Sequence, residues 1–198
     1  MNNKNQLKNE VMIDTVKDIR SKLKRPKVSI YIAASIDGYI AREDDDLDWL
    51  NTVADVNEDY GFENFMSQID TIILGRKTYK VAIKAYKSSD WPYTNKKIIV
   101  LSKTLKTVID EATLYSGDLV SLINLLYSEG TNHIWIDGGN TISQFLRLGM
   151  VDNMILSIIP ILLGQGIRLF DLNQETPCRL SSSQSYPSGL VQLRYALS

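Results

Sequence analysis

Cysteine and histidine are almost missing from this sequence, which has one of each, Cys178 and His133, in 198 residues. A lone cysteine excludes an internal disulfide. The same scarcity removes most metal sites, and we expect no bound metal. Any Ser-His-Asp or Cys-His scheme would have to use His133, which lies beside a predicted strand and fits a structural role.

The chain also lacks an excess of positive charge and any long apolar run. Its net charge is −1 and its pI is about 5.9, which leaves no basic surface for nucleic acid or an anionic membrane. No segment is long and apolar enough to cross a bilayer or to serve as a signal peptide. We therefore expect a cytoplasmic protein without nucleic-acid or membrane partners.

Two parts are predicted along the chain. Residues 1–26 form an N-terminal helical extension, because apolar residues recur on one helical stripe before Pro26. That stripe, Met12 to Leu23, could dock on the body or on a partner subunit. Residues 27–198 are of a size to form a single domain with one core.

Apolar strand patterns alternate with helical patterns through the body of the chain. This order predicts an α/β fold in which a mixed, mostly parallel central sheet has helices on both faces and a C-terminal antiparallel hairpin. The segment 160–168 is expected to be a flexible connection. Strands are predicted at 27–35, 71–74, 97–101, 133–136, 151–159, 179–185 and 190–197, and helices at 57–68 with Asn57 as N-cap, after Gly75, at 119–126 and from Ile142 to Gly149.

Three of these strands end in residues that suit a phosphorylated ligand. Gly75-Arg76-Lys77-Thr78 follows one strand, Ser102-Lys103-Thr104 the next, and Gly138-Gly139 a third. Backbone N–H groups at a helix start, together with basic side chains, bind phosphate well. Each junction alone is weak evidence, since a glycine between strand and helix is also what a tight turn requires.

Five motifs follow one another along the chain: 32–41 (IAASIDGYIA), 46–50 (DLDWL), 73–79 (ILGRKTY), 137–139 (DGG) and 160–170 (PILLGQGIRLF). In this order they resemble the C-terminal reductase domain of the bifunctional riboflavin-biosynthesis deaminase-reductase, in its stand-alone, dihydrofolate-reductase-like form. The resemblance covers about residues 27–197, and one His and one Cys cannot supply the zinc site of the deaminase half.

The resemblance implies a three-layer dihydrofolate-reductase-like fold, a homodimer, and NADPH as the cofactor. Arg76, Ser102 and Lys103 would favour its 2′-phosphate. By position, Ala34 and Ile40 border the nicotinamide; Gly75, Arg76, Lys77 and Thr78 cradle the adenosine-side phosphates; Leu101, Ser102 and Lys103 flank the adenine ribose; and Gly138, Gly139, Asn140, Thr141 and Ile142 receive the pyrophosphate.

The implied substrate side consists of Asp37, Trp49 and Phe62, with Asp37 and Asp59 as candidate catalytic acids. An Asp-Gly turn and an acidic first turn of a helix explain these two aspartates equally well, and water is another proton source. The expected activity is hydride transfer to a small heterocyclic or ribosylamino-pyrimidine substrate. Dihydrofolate reduction and NADPH binding without turnover stay open as alternatives.

Overall fold

The computed structural model describes residues 24–85 and 93–197. A short 3-10 helix spans Asp48–Val53. The strands are β1 Lys27–Ser35, β2 Tyr39–Ala41, β3 Thr71–Gly75, β4 Lys97–Leu101, β5 Ala112–Tyr115, β6 His133–Asp137, β7 Asn153–Ile159, β8 Ile167–Arg168, β9 Cys178–Ser185 and β10 Val191–Leu197, and the helices are α1 Phe62–Ser67, α2 Arg76–Ala85, α3 Leu119–Ser128 and α4 Gly139–Arg147.

One eight-stranded sheet forms the centre of the fold, in the order β5-β4-β3-β6-β1-β7-β10-β9. The strands from β5 to β7 are all parallel, whereas β10 runs antiparallel to both β7 and β9. The predicted α/β class, the mixed, mostly parallel sheet and the C-terminal antiparallel hairpin are therefore confirmed. In this order β6 returns to the middle of the sheet, between β3 and β1.

The apolar strands bury both of their faces, because helices cover the sheet on each side. In β3, Ile73 faces a core cluster that contains α3 and α4, whereas Ile72 and Leu74 face a second cluster that contains α1 and α2. Continuous apolar runs are what such doubly covered parallel strands require. The packing fixes the sheet between two helical layers and leaves the strands' carboxyl ends as the open edge.

The predicted start of the first helix is wrong. The helix begins at Phe62 rather than near Asn57, because Gly61 takes a left-handed conformation with φ 81°. The carboxylate of Asp59 then accepts hydrogen bonds from the backbone N–H groups of Gly61 and Glu63, both at 2.8 Å. Asp59 therefore stabilises the N-terminus of α1.

Three short strands were not predicted. The segment 160–168, expected to be a flexible connection, contains β8, which pairs antiparallel with β2 just after the β1 turn. At the other edge of the sheet, β5 pairs with β4. These strands have two to four residues, too few to show a period in sequence.

The apolar stripe predicted for residues 12–23 lies outside the described residues. Near the start of the described residues, the guanidinium of Arg25 pairs with both carboxylate oxygens of Asp152 at 2.6 and 2.8 Å. None of the helices in the described ranges is long and apolar enough to cross a bilayer. The single domain over residues 27–198, the homodimer and the cytoplasmic location stay predictions.

The contribution of the Asp152 carboxylate to stability can be tested by mutation. Its carboxylate also accepts the Val28 N–H at 2.7 Å, so Asp152→Ala would leave two partly buried donors unpaired. We expect the free energy of unfolding to fall by about 1–3 kcal/mol, measured by urea denaturation. The matched control is Glu129→Ala, which breaks the exposed pair with Lys97 and should cost less than about 1 kcal/mol. Equal losses would contradict the anchoring role of Asp152.

Candidate active site

A cleft of about 760 Å³ opens at the edge where the parallel strands β3, β4 and β6 end. Ligand crevices of α/β sheets lie at such carboxyl ends. One half of the cleft is lined by the residues that follow these three strands. The other half is lined by β1, the 3-10 helix and α1.

The half of the cleft that follows β3, β4 and β6 depends on close packing between two strand-to-helix junctions. Strands β3 and β6 are parallel neighbours, so the start of α2 lies beside the start of α4. A Cβ on Gly138 would overlap the Thr78 hydroxyl, and a Cβ on Gly75 would lie 2.9 Å from the Thr141 hydroxyl. Each glycine thus makes room for a threonine of the other junction. Gly138 also has φ 91°, which disfavours other residues there.

Gly139 has a different role, since it lets α4 approach β8. A Cβ at this position would lie 2.6 Å from the carbonyl oxygen of Arg168 and 3.0 Å from that of Leu169. Backbone oxygens cannot move aside as a flexible side chain can. The second glycine of the pair is therefore required for packing, whatever ligand the cleft holds.

The charges of this half suit a polyphosphate. Arg76, Lys77 and Lys103 line it. The N-cap of α4 is Gly138, which has no side chain, so the N–H groups of the first turn have no capping side chain. The positive ends of two helix dipoles add to the three cations. Glycines, uncapped N–H groups and cations together fit the pyrophosphate and 2′-phosphate of NADPH.

The second half is apolar and aromatic. Tyr31 lies close to Phe62, with ring centroids 5.3 Å apart, and Phe62 meets Trp135 edge-on at 5.8 Å. Leu47 and Leu50 lie on the same side of the cleft. A surface of this kind favours a flat ring system.

Asp137 is the site residue that the sequence interpretation missed. It ends β6, lines the cleft and accepts the Gly138 N–H at 2.7 Å. Burial raises the pKa of its carboxyl from 3.8 to about 6. The sequence did contain an indication of this role, because Asp137 directly precedes Gly138-Gly139 at the carboxyl end of a strand, where ligands of α/β sheets bind. A group with this pKa is protonated in part near neutral pH and can supply a proton.

Most of the predicted cofactor residues do line the cleft, as does Phe62 from the predicted substrate side. Ala34 and Ile142 do not, since their side chains are 1% and 0% exposed within the core beneath it. The lining residues from the prediction are Ile40, Phe62, Gly75, Arg76, Lys77, Thr78, Leu101, Ser102, Lys103, Gly138, Gly139, Asn140 and Thr141.

The structure corrects the role expected for Trp49. This side chain is 2% exposed and packs with Val53, Ile159 and Leu190 in a third core cluster. The 3-10 helix Asp48–Val53 turns it inward, away from the cleft. The aromatic wall is formed instead by Tyr31, Phe62 and Trp135.

Neither aspartate chosen as a catalytic acid is suited to donate a proton. The carboxylate of Asp37 accepts hydrogen bonds from the Ser35 hydroxyl at 2.6 Å and from the N–H groups of Leu163 and Gly164 at 3.1 and 2.7 Å. These bonds, with Ser35 first, hold the pKa of Asp37 below its usual value. The two backbone bonds at α1 do the same to the pKa of Asp59. Neither residue lines the cleft.

Within residues 24–85 and 93–197, no group of three or more His, Cys, Asp or Glu side chains is placed to hold a metal ion. The buried His133 ring lies 2.7 Å from the Ser29 hydroxyl. His133 begins β6, so it is at the opposite end of the strands from the cleft. The cleft is therefore the candidate active site, because residues of the sequence motifs line it.

Comparison with known proteins decides the family. The model of the RibD C-terminal domain matches residues 26–192. The chain belongs to the RibD C-terminal domain family. All of the cleft-lining residues fall within the part that matches.

A similar protein and solved structures agree with this assignment. The uncharacterized YwjB of Bacillus subtilis (strain 168) is 35% identical over 85% of this chain and 97% of its own length. A Shewanella sp. PV-4 protein named for riboflavin biosynthesis has a crystal structure that matches with a TM-score of 0.81 and 36% identity, over 87% of this chain and 99% of that one.

A third similarity is more distant. It is to the crystal structure of a diaminohydroxyphosphoribosylaminopyrimidine deaminase/5-amino-6-(5-phosphoribosylamino)uracil reductase from Thermotoga maritima, with a TM-score of 0.66 and 15% identity. The match covers 88% of this chain and 57% of that one, and at this identity it shows the fold alone.

The raised pKa of Asp137 predicts an unusual dependence of stability on pH. A carboxyl whose pKa rises from 3.8 to about 6 on folding binds its proton more tightly in the folded state. Wild-type stability is therefore lost, relative to Asp137→Asn, as the pH rises from about 4 to about 6. Two pKa units correspond to at most about 3 kcal/mol, which urea denaturation at pH 4 and pH 8 would measure.

Asp59→Asn is the control, because its pKa is shifted the other way. A lowered carboxyl pKa contributes stability that is present above the unfolded value and lost as the pH falls. This variant should therefore be less stable than the wild type at pH 8, and the difference should shrink only as the pH falls below about 4. If the free energy of unfolding changed equally with pH in Asp137→Asn and in the wild type, the pKa of Asp137 would not be raised in the folded protein.

Proposed function

We propose that this protein is an NADPH-dependent reductase that transfers hydride to a small heterocyclic substrate. One observation carries the proposal: a single cleft joins a cationic half at two helix N-termini to an aromatic half with a carboxyl of pKa about 6. The comparisons support the same class, since the chain belongs to the RibD C-terminal domain family and a relative with 36% identity is named for riboflavin biosynthesis.

Each half of the cleft has its own task. Arg76, Lys77 and Lys103, with the uncapped first turn of α4, would hold the phosphates. The Ser102 hydroxyl already accepts the N–H groups of Thr104 and Leu105, which shapes the loop after β4 at the same place. When bound, NADPH supplies a hydride. The aromatic half would hold the acceptor ring in contact with it and keep water out.

Asp137 would deliver the proton. It ends a central strand whose position is fixed by β1 on one side and β3 on the other, so its carboxyl is held at the boundary between the two halves. With a pKa of about 6, roughly one carboxyl in ten carries a proton at pH 7, and a larger share does so at lower pH. A general acid of this kind contributes about 10²–10⁴-fold to a rate.

A cofactor test uses Arg76, which lines the cleft from the first turn of α2. Arg76→Ala should weaken NADPH binding by about tenfold, and NADH binding much less, because the guanidinium would pair with the 2′-phosphate that NADH lacks. Fluorescence titration with each nucleotide measures both affinities. Lys80→Ala is the matched control, since Lys80 is exposed one turn further along α2 and does not line the cleft.

Equal losses for the two nucleotides would sink the assignment of Arg76 to the 2′-phosphate. If the wild type bound neither nucleotide at millimolar concentration, the proposed cofactor itself would be wrong. A shift in melting temperature with NADPH gives an independent readout of binding.

A second test addresses the proton donor. Asp137→Asn should lower kcat by at least about tenfold while the Kd for NADPH stays within about twofold, because the amide keeps the bond to Gly138 and loses only the proton. The wild-type rate should fall as the pH rises through 6, where the carboxyl ionises. A variant that kept both the rate and this pH dependence would show that another group donates the proton.

A further inference from the structure

The strands β7, β10 and β9 lie at the side of the sheet where the cover of α3 and α4 ends. The core cluster beneath these two helices contains buried residues of β1, β3, β4 and β6. From the three outer strands it contains only Met154, and Leu156, Tyr195 and Leu197 are partly buried against it. Among the described residues, the helical layer on this face therefore stops near β7.

The strand register shows which side chains share the face that is left. Met154 opposes Tyr195, Tyr195 opposes Leu180, and Leu156 opposes Leu193. Directly opposed residues of antiparallel strands lie on the same face of a sheet. The β7–β10–β9 face consists of Leu156 and Ile158 of β7, Val191, Leu193, Tyr195 and Leu197 of β10, and Cys178, Leu180, Ser183 and Ser185 of β9.

This face carries no charged residue. The charged residues of the three strands, Arg179 and Arg194, both lie on the opposite face, where Arg194 donates to the Gln192 amide oxygen at 2.7 Å. Leu180 is 51% exposed, and every residue of β9, at the edge of the sheet, is exposed. A contiguous apolar patch beside a long exposed edge strand marks an interaction surface.

The size of the face fits a second copy of the chain. β10 has seven residues and β9 eight, so the face is about 24 Å long and, over three strands, about 14 Å wide. Two such faces, with the relief of their side chains, would bury on the order of 1,000 Å² together, which is the lower limit for a specific interface.

The N-terminal extension offers a smaller cover. A helix over residues 12–23 would be about 18 Å long and 10 Å wide, so its apolar stripe would cover only about half of the β7–β10–β9 face. The area therefore favours a second copy over this segment.

We propose that two copies of this chain pack through their β7–β10–β9 faces across a two-fold axis. A two-fold interface brings a surface against itself, so the surface must be complementary to its own copy. A face without charge meets this condition, because no like charges are brought together. None of the face residues lines the cleft, so the interface and the candidate active site are separate surfaces.

Sedimentation equilibrium on the whole protein measures the assembly. The chain has a mass of 22.4 kDa, and we expect a particle of about twice this mass at micromolar concentration. Leu180→Arg should weaken the dimer by at least about a hundredfold, because each copy then brings a guanidinium into an apolar contact. Leu125→Arg is the matched control, since Leu125 is 49% exposed on α3 and lies off the face. This control should dimerise like the wild type.

Hydrogen–deuterium exchange gives a second readout that needs no variant. The N–H groups of β9 and β10 should exchange more slowly in concentrated wild-type protein than in protein diluted below the dimer Kd. Those of α3 should exchange at the same rate in both samples. If Leu180→Arg does not fold, as judged by circular dichroism, this measurement decides the question.

Three results would overturn the proposal. The first is a wild type that stays a monomer at high micromolar concentration, with no slowing of exchange in β9 and β10. The second is a dimer that survives in a folded Leu180→Arg, or that is weakened equally by Leu125→Arg. The third is a monomer whose Cys178 reacts with a thiol reagent only after Ile19→Asp, which would assign the face to the N-terminal stripe instead.

Discussion

The parallel pairing of β3 with β6 is the constraint on which the site depends. It sets Leu74 opposite Asp137, so that the two following junctions start side by side. Gly75 and Gly138 then leave space for the hydroxyls of Thr141 and Thr78, and the N-termini of α2 and α4 converge on one cleft. A larger residue at either glycine would separate the helices that supply the positive end of the site.

The aspartates show how environment divides similar groups. Hydrogen bonds from N–H and hydroxyl groups stabilise the ionised forms of Asp37 and Asp59, which serve a turn and a helix start. Asp137 has one such bond and a buried setting, so its pKa rises instead. The group able to release a proton is thus the one with the fewest hydrogen-bond donors around it.

Long elements were predictable from residue patterns, because burial on both faces leaves a continuous apolar signature. Strands β1 and β4 were predicted with their observed bounds, and the C-terminal hairpin was expected from strands at 179–185 and 190–197. The short pair β2 and β8 was not, since its partners lie far apart in sequence and hold only a few residues. Trp49 was misplaced because the direction of a side chain on a 3-10 turn depends on what packs above it.

The sequence by itself determined the fold class and the phosphate-compatible strand ends, because strand periodicity, glycines and basic residues are local properties. The family followed from the resemblance of its five ordered motifs. Only the tertiary structure decided that these ends share one cleft with an aromatic wall, and that Gly139 packs against β8. It also singled out Asp137, since a shifted pKa comes from desolvation by groups brought together from distant strands. The burial of a side chain, and which residues the strand pairing sets side by side, are properties of the folded chain.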